Sequence, residues 1–249
     1  NRRMYLRLLL SQLYFSEGSE SKSIPNYEYV IAQSRSEFTE QSLSRLAQIL
    51  LKNKENDKAI PVLSRLENEA DVSQNKTYAQ SNLMKLYYNK KDYPNSGIYA
   101  EKVLMNPKAD DNVKSDAQII IARAAIETGD EAKAKVAYAK VLAIAKGELA
   151  AEALYYDAYF KNKEGKFEAS NAAVQKIAKN YSSYKYFGAK GLILMAKNFY
   201  GLKDSYQATY ILENVIQNFT DYPDVVSEAK TELNAIKTEE AKTNSSITK

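Results

Sequence analysis

The side chains that could carry chemistry in this chain are its carboxylates, lysines and tyrosines. The sequence has 20 tyrosines but no histidine and no cysteine. Histidine is the commonest general base and transition-metal ligand, so histidine-dependent hydrolysis, histidine metal sites and thiolate nucleophiles are excluded. Gly165 and Lys166 lack the upstream glycine of a phosphate-binding loop, and Asp110 and Asp111 suggest helix capping. We therefore expect a protein that is not an enzyme, with no catalytic residue, no metal site and no cofactor.

The overall composition is that of a folded protein with no obvious nucleic-acid partner. Hydrophobic residues make up 45% of the chain and charged residues 27%, and 35 basic residues against 31 acidic ones give a net charge of +4. The two signs are interspersed, whereas nucleic-acid binding usually requires a stronger and more clustered positive charge. No apolar run approaches the roughly 18 residues that a membrane span needs. We expect neither a nucleic-acid partner nor a transmembrane segment.

The elements that must position these side chains are revealed by small residues that recur in pairs. Eleven residues lie between the two members of each pair, and Met84 is the only bulky residue in the whole set. The pairs are Ser11/Ser23, Ala47/Ala59, Met84/Ser96, Ala122/Ala134, Ala158/Ser170 and Ala196/Ala208. Corresponding residues of successive pairs lie 36, 37, 38, 36 and 38 positions apart. This period is typical of a solenoid of stacked units, in which two antiparallel helices approach most closely at the small residues.

The second helix of each unit carries a regular apolar seam. Large or small apolar residues stand four and seven positions after its small residue, namely Tyr27/Val30, Leu63/Leu66, Ala100/Val103, Tyr138/Val141, Val174/Ile177 and Leu212/Val215. Residues at i, i+4 and i+7 share one face of a helix, so this seam is predicted to be core.

The connections within the units are short and contain residues that end or begin helices. The aspartates expected to cap the second helices are Asp57, Asp92, Asp130 and Asp204. Pro25 and Pro61 lie deeper than a first helical turn normally allows, so the second helices of repeats one and two are expected to start late or to bend.

The repeated pattern resembles the tetratricopeptide repeat (TPR). Small residues fall at what would be repeat positions 8 and 20, and an apolar or aromatic residue follows three positions after the first, as in Ala47/Leu50, Met84/Tyr87 and Ala196/Phe199. The resemblance implies an all-α, right-handed α-solenoid of about six helix hairpins and a C-terminal capping helix. The repeats are longer than the usual ~34 residues, which longer helices or longer loops between repeats would explain.

The repeat pattern also predicts a domain organisation. We expect one domain over residues 1–237, a capping helix, and a polar disordered tail. The expected repeats span 4–39, 40–76, 77–114, 115–150, 151–188 and 189–222, followed by the cap at 223–237 and the tail at 238–249.

In TPR proteins the first helices line a concave groove, and the ligand-contacting positions of that groove can be transferred to this sequence. They fall on Lys85, Tyr88, Arg123, Tyr155, Tyr159, Asn162, Lys197 and Tyr200. Tyrosine combines a broad apolar ring with a polar tip, and lysine or arginine can hold a carboxylate. One interpretation is a groove that binds an extended peptide or a partner's helix. The alternative is that these tyrosines only fill space between repeats, because this chain has no tryptophan.

Repeat five contains one charged pair at positions where the other repeats have mostly apolar residues. Asp157 and Lys161 are four residues apart, so they lie on the same side of a helix and can pair. A partly buried pair would suggest a role in register or binding. An exposed pair would be an ordinary solvated contact.

The first helix is rich in apolar residues, whereas an end repeat normally presents a polar outer face. We interpret the chain as cut from a longer repeat protein, with a mature terminus after signal cleavage as the alternative, and expect that this helix could mediate self-association. Segments such as Ile177–Tyr181 and Val215–Phe219 resemble the repeats of bacterial cell-envelope proteins, including the long TPR proteins of Bacteroidetes. The resemblance implies a periplasmic or outer-membrane location, with a cytoplasmic one as the alternative.

Two classes of function are therefore expected. The first is a non-catalytic scaffold that binds a protein or peptide in its groove, as part of a larger cell-envelope protein. The second is a glycan- or nutrient-binding module of the SusD type, which uses similar repeats. That class binds sugars through long loops inserted around the repeats, and the connections in this sequence are short.

Overall fold

The computed structural model describes residues 2–247, in which every regular element is a helix. A short 3₁₀ helix, Glu20–Ser23, precedes the second α-helix. The α-helices are α1 Arg2–Ser16, α2 Ile24–Ile31, α3 Thr39–Lys52, α4 Asn56–Glu69, α5 Ser73–Asn89, α6 Tyr93–Met105, α7 Asp111–Glu127, α8 Glu131–Ile144, α9 Gly147–Lys163, α10 Phe167–Asn180, α11 Lys185–Gly201, α12 Ser205–Asn218 and α13 Pro223–Ile247.

The helices form two compact units: unit 1 contains α1 to α7 and ends at Asp130, and unit 2 begins at Glu131 with α8 and contains α8 to α13. Within each unit, helices that are adjacent in the chain pack together, from α1 to α7 in the first unit and from α8 to α13 in the second. In unit 2, α13 packs on α12 and α11. This arrangement confirms the predicted all-α fold of TPR-like helix hairpins followed by a C-terminal helix.

The small residues that define the repeats lie at the centre of the packing. All twelve members of the six pairs have 0% exposed surface. Each residue of the second-helix seam, four or seven positions later, is also buried, none being more than 3% exposed. Close packing of this kind has no room for larger side chains at the small positions, because protein interiors are packed like organic crystals.

Every first helix from α1 to α11 ends in the same backbone turn. Its left-handed residue lies seven positions after the first small residue of the repeat: Gly18, Lys54, Lys91, Gly129, Gly165 and Lys203, with φ between 59° and 76°. In repeat two the N–H of Lys54 bonds to Leu51 O at 3.0 Å and that of Glu55 to Leu50 O at 2.8 Å. This is a Schellman motif, and the same two bonds recur in the other five loops.

The capping predictions are confirmed at two of the four aspartates. Asp92 and Asp204 accept hydrogen bonds from the backbone N–H groups of Asn95 and Gln207. Asp57 is not a cap, because α4 begins one residue earlier and its carboxylate pairs with Lys90 at 2.7 Å. Asp130 directly precedes α8.

The structure also tests the predicted cap at Asp110 and the predicted late start or bend of the helices that contain Pro25 and Pro61. Asp110 caps α7 by accepting from the backbone N–H of Val113, as expected. Helix α2 starts late, with Pro25 in its first turn after the 3₁₀ helix. Helix α4 does not start late and instead holds Pro61 in its interior.

From repeat three onward, the long repeat period comes from longer first helices. Helices α5, α7, α9 and α11 each have 17 residues and begin four residues before the repeat boundaries expected at 77, 115, 151 and 189. At the other end, α13 continues to Ile247 through residues expected to form a polar tail. That segment contains Glu, Ala and Lys, which have high helix propensity, and its side chains are mostly exposed.

Helix α1 exposes an apolar face. Five of its large side chains are between 37% and 58% exposed: Tyr5, Leu6, Leu9, Leu10 and Leu13. Among the described residues, no helix combines the length and the apolar character required to cross a membrane.

Candidate partner-binding surface

In unit 1, the three predicted groove residues lie on α5 and α7. The Lys85 ammonium is 3.2 Å from a carboxylate oxygen of Asp116, and each of these side chains is 49% exposed. Tyr88 is half-buried, with its ring edge-on to Tyr93 at 6.0 Å between centroids. Arg123 is half-buried on α7. Lys85 is thus accessible but already paired with an acid from the neighbouring first helix.

In unit 2, Tyr155 lies in the core instead of on an open surface. It is 6% exposed and contacts the rings of Tyr156 and Phe187, while the Lys190 ammonium lies 5.3 Å from its ring centroid. Burial raises the pKa of Tyr155 far above its ordinary value. This placement fits the packing interpretation of the tyrosines for Tyr155.

Tyr159 and Asn162 are fixed by neighbours in the same unit. The Tyr159 hydroxyl donates to Glu131 Oε1 at 2.9 Å, and burial followed by this hydrogen bond raises its pKa. The Asn162 amide donates to Asn198 Oδ1 at 2.8 Å. Tyr159 keeps part of its ring exposed, whereas Asn162 links α9 to a buried polar group of α11.

Lys197 and Tyr200 lie one helical turn apart on α11. The Lys197 ammonium is 3.2 Å from Glu232 and 3.9 Å from Glu228, both on α13. Tyr200 is half-buried and packs against the core of α11, α12 and α13. Lys197 is therefore not a free cation, because α13 already supplies two carboxylates to it.

The structure adds residues to this surface that the sequence analysis did not select. The Tyr186 hydroxyl donates to Asp224 Oδ2 at 2.8 Å, and Lys190 lies 3.6 Å from Glu228. We call this surface the α9–α11–α13 face; it comprises Tyr159, Tyr186, Lys190, Lys197, Tyr200, Asp224, Glu228 and Glu232. The signal was present in α13, where three acids at i, i+4 and i+8 form a row beside the buried Val225, Ala229 and Leu233.

The hydrogen bond between Tyr186 and Asp224 shifts the titration of both groups. Burial and then the hydrogen bond to the carboxylate raise the pKa of Tyr186 to about 12. The same bond lowers the pKa of Asp224 below its ordinary 3.8. At neutral pH the face therefore holds a protonated phenol bound to a carboxylate, beside two lysines paired with two glutamates.

Asp157 and Lys161 form the expected pair in a shallow recess elsewhere in unit 2. Their charged atoms are 2.8 Å apart and both side chains are about one-third exposed. They border a cavity of about 260 Å³ whose walls include Tyr138 and Phe160. Lys135 and Lys166 also lie at this cavity, and both pair with Glu164. The pair is neither buried nor fully solvated.

The helix hairpins and their repeat period define a TPR-like helical repeat protein. No protein-family model matches the chain, and no curated protein matches it. Among solved structures, it is similar to PilW, described as a widely conserved type IV pilus biogenesis factor. The TM-score is 0.48 with 17% identity, over 91% of this chain and 98% of PilW. It is also similar to a TPR protein from Parabacteroides merdae, with a TM-score of 0.39 and 11% identity, over 92% of this chain and 100% of that one.

Proposed function

We propose that this protein is a non-catalytic scaffold that binds a protein partner, as an extended peptide or a helix, on the α9–α11–α13 face. The observation that carries the proposal is the row of partly exposed tyrosines and ion pairs shared by three adjacent helices. Lys197, Glu228 and Glu232 keep 31–34% of their side chains exposed, so a partner's charged groups can reach them.

The chemistry of the face favours recognition over catalysis. A general base at neutral pH needs a pKa near 7. The pKa values of Tyr155, Tyr159 and Tyr186 are all raised, so these phenols stay protonated and act as hydrogen-bond donors or apolar surface. The paired lysines and glutamates can exchange their mutual contacts for those of a partner at little cost, because exposed ion pairs contribute only about 0–1 kcal/mol.

The glycan-binding alternative has less support from the structure. The binding platform of that class is built on long inserted loops. Among the described connections between α-helices, the longest one that contains no helical structure spans only residues 32–38. We therefore place the protein-binding hypothesis first.

The direct test is affinity capture of a stoichiometric partner from the native host, followed by measurement of its affinity for purified variants. Lys190→Glu/Lys197→Glu replaces both lysines of the face by acids, beside the three acids of α13, and is expected to weaken binding. The matched control is Lys176→Glu/Lys179→Glu, which changes two exposed lysines of α10. Equal affinities for both double variants would contradict the proposed surface.

We further propose a cell-envelope location and self-association through α1. The support for the location is the resemblance of the inter-repeat segments, and cell fractionation of the host tests it. The support for self-association is the apolar face of α1, because large exposed apolar patches commonly mark interaction sites. Leu6→Glu/Leu13→Glu is expected to leave only monomer in light scattering; a wild-type protein that is monomeric at high concentration would contradict self-association.

A further inference from the structure

An apolar cleft of about 410 Å³ opens in unit 2, over the N-terminal half of α11 and between the C-terminal ends of α10 and α12. It shares no residue with the α9–α11–α13 face, although the ring of its wall residue Tyr222 contacts the ring of Tyr186, with 5.5 Å between centroids. On α11, the cleft residues Lys185, Gly188 and Leu192 lie on the side of the helix away from Lys190 and Lys197, as a period of 3.6 residues requires. The volume falls within the roughly 300–1,000 Å³ of ligand-binding pockets.

Two glycines of α11, Gly188 and Gly191, differ in the space that surrounds them, and this difference shows how the cleft stays open. A Cβ at Gly191 would lie 3.1 Å from Val174 Cγ1, so the close packing of α10 on α11 favours a glycine there. A Cβ at Gly188 would meet nothing within 4 Å. Glycine inside a helix is destabilising relative to alanine, and packing offers no reason for it at Gly188. Its effect is to leave the floor of the cleft empty.

The walls of the cleft are aromatic and its rim is charged. Tyr181, Phe219 and Tyr222 line it and are only partly buried. Lys185 and Asp221 stand at the rim and are both exposed; within residues 2–247, neither has an ion-pair partner. An occupant that covers the aromatic walls can therefore also satisfy one positive and one negative group.

We propose that this cleft is a second contact site for a polypeptide, which inserts one aromatic side chain flanked by an acidic residue and a basic residue. The ring fills the space above Gly188 and packs on Phe219 and Tyr222, while the acid pairs with Lys185 and the base with Asp221. Binding energy in protein interfaces concentrates in such anchors, where an aromatic group is desolvated in a pocket. The peptide class of the occupant rests on the proposed function, whereas the site is separate from the proposed face.

Short fluorescent peptides in a Gly/Ser background test the site by anisotropy titration. One peptide has Asp-Trp-Lys at its centre, one has Lys-Trp-Asp, and one has Asp-Ser-Lys. We expect a tryptophan peptide to bind the wild type and the serine peptide not to bind. Gly188→Leu fills the cleft and should weaken tryptophan-peptide binding about tenfold or more, as expected for loss of an interface anchor.

Controls separate the cleft from general effects of substitution. Gly188→Ala leaves most of the space open and should retain affinity to within about twofold. Gly97→Leu adds the same side chain to α6, at another glycine where a Cβ would meet nothing within 4 Å, and should retain full affinity. Lys185→Glu/Asp221→Lys should reverse the preference between the two tryptophan peptides. Circular dichroism verifies that each variant is folded.

The proposal is overturned if no tryptophan peptide binds better than the serine peptide, if folded Gly188→Leu binds like the wild type, or if the charge swap leaves the preference unchanged. Lys190→Glu/Lys197→Glu distinguishes this outcome from failure of the proposed function. Loss of the captured partner by that variant, together with absent peptide binding in the cleft, would leave the proposed face standing and remove the cleft.

Discussion

The Ser170 hydroxyl donates a hydrogen bond to the carbonyl oxygen of Ala158 at 2.7 Å, and both residues are fully buried. These two residues are the small pair of repeat five, so α9 and α10 meet at the point where the sequence period placed their closest approach. The buried amide of Asn198 extends this contact into repeat six, because it donates to Ser170 Oγ and to Asn171 Oδ1, each at 2.8 Å.

This buried polar cluster should be strongly coupled. Ser170→Ala leaves one amide N–H of Asn198 without its partner, and we expect a loss of about 1–3 kcal/mol in the free energy of unfolding. Asn198→Leu should cost a similar amount. The double variant should cost less than the sum of the two, because both changes remove the same interaction. Urea unfolding of the four proteins measures this coupling, and strict additivity would contradict it.

Enlarging a buried small residue should be destabilising. Ala196→Leu adds bulk where the structure leaves no exposed surface, and we expect a loss of about 1–3 kcal/mol through overpacking. Lys176→Leu introduces the same residue at an exposed position of α10 and should change stability by less than about 0.5 kcal/mol. Thermal unfolding compares the two; equal effects would mean that the repeat register is wrong.

The left-handed lysines offer a stabilising change. Lys54, Lys91 and Lys203 occupy the Schellman position that glycine holds in the other three first-helix turns. A non-glycine residue is strained there, so Lys91→Gly and Lys203→Gly should each stabilise by roughly 0.5–1 kcal/mol. The same replacement within a helix, Lys176→Gly, should instead destabilise by about 1 kcal/mol. Chemical denaturation measures the change in the free energy of unfolding for each variant. Destabilisation by all three substitutions would contradict the assigned turn geometry.

The sequence predicts the hairpins well because their determinants are local. Ala158 and Ser170 mark the closest approach of two helices, and the period of such pairs determines the register of all six repeats. Lys91 shows the limit: its left-handed conformation is imposed by the repeated turn, and nothing in a lysine side chain signals it. The acids of α13 show a second limit of prediction from sequence. Their partners on α11 lie 35–38 residues earlier in the chain and meet them only after α13 packs on α11. The pairs are Asp224/Tyr186, Glu228/Lys190 and Glu232/Lys197.

The hydrogen bond between Tyr186 and Asp224 predicts a stability difference that depends on pH at both extremes. The raised pKa of Tyr186 means that its contribution is complete below the ordinary value of 10 and is lost as the pH rises through about 12. The lowered pKa of Asp224 means that its contribution is complete above 3.8 and is lost as the pH falls through the folded-state value.

Tyr186→Phe should therefore lower the free energy of unfolding by about 0.5–1 kcal/mol across the neutral range. This is a small loss for a hydrogen bond to a charged group, because the bond is exposed to solvent. The cost should shrink below pH 3.8 and above pH 10. Denaturation of both proteins across this range measures the difference, with Tyr210→Phe, an exposed tyrosine of α12, as the control. A cost that stays constant with pH would contradict the assigned bond.

The affinity of the captured partner for Lys190→Glu/Lys197→Glu, measured beside Lys176→Glu/Lys179→Glu, tests the proposed binding face most directly. Both double variants make the same change in net charge, so general electrostatic attraction cancels between them. We predict that the first loses about tenfold or more in affinity, as expected when buried interface charges are reversed, while the second stays within about twofold of the wild type. Equal affinities in the two folded variants would show that the partner does not bind the α9–α11–α13 face.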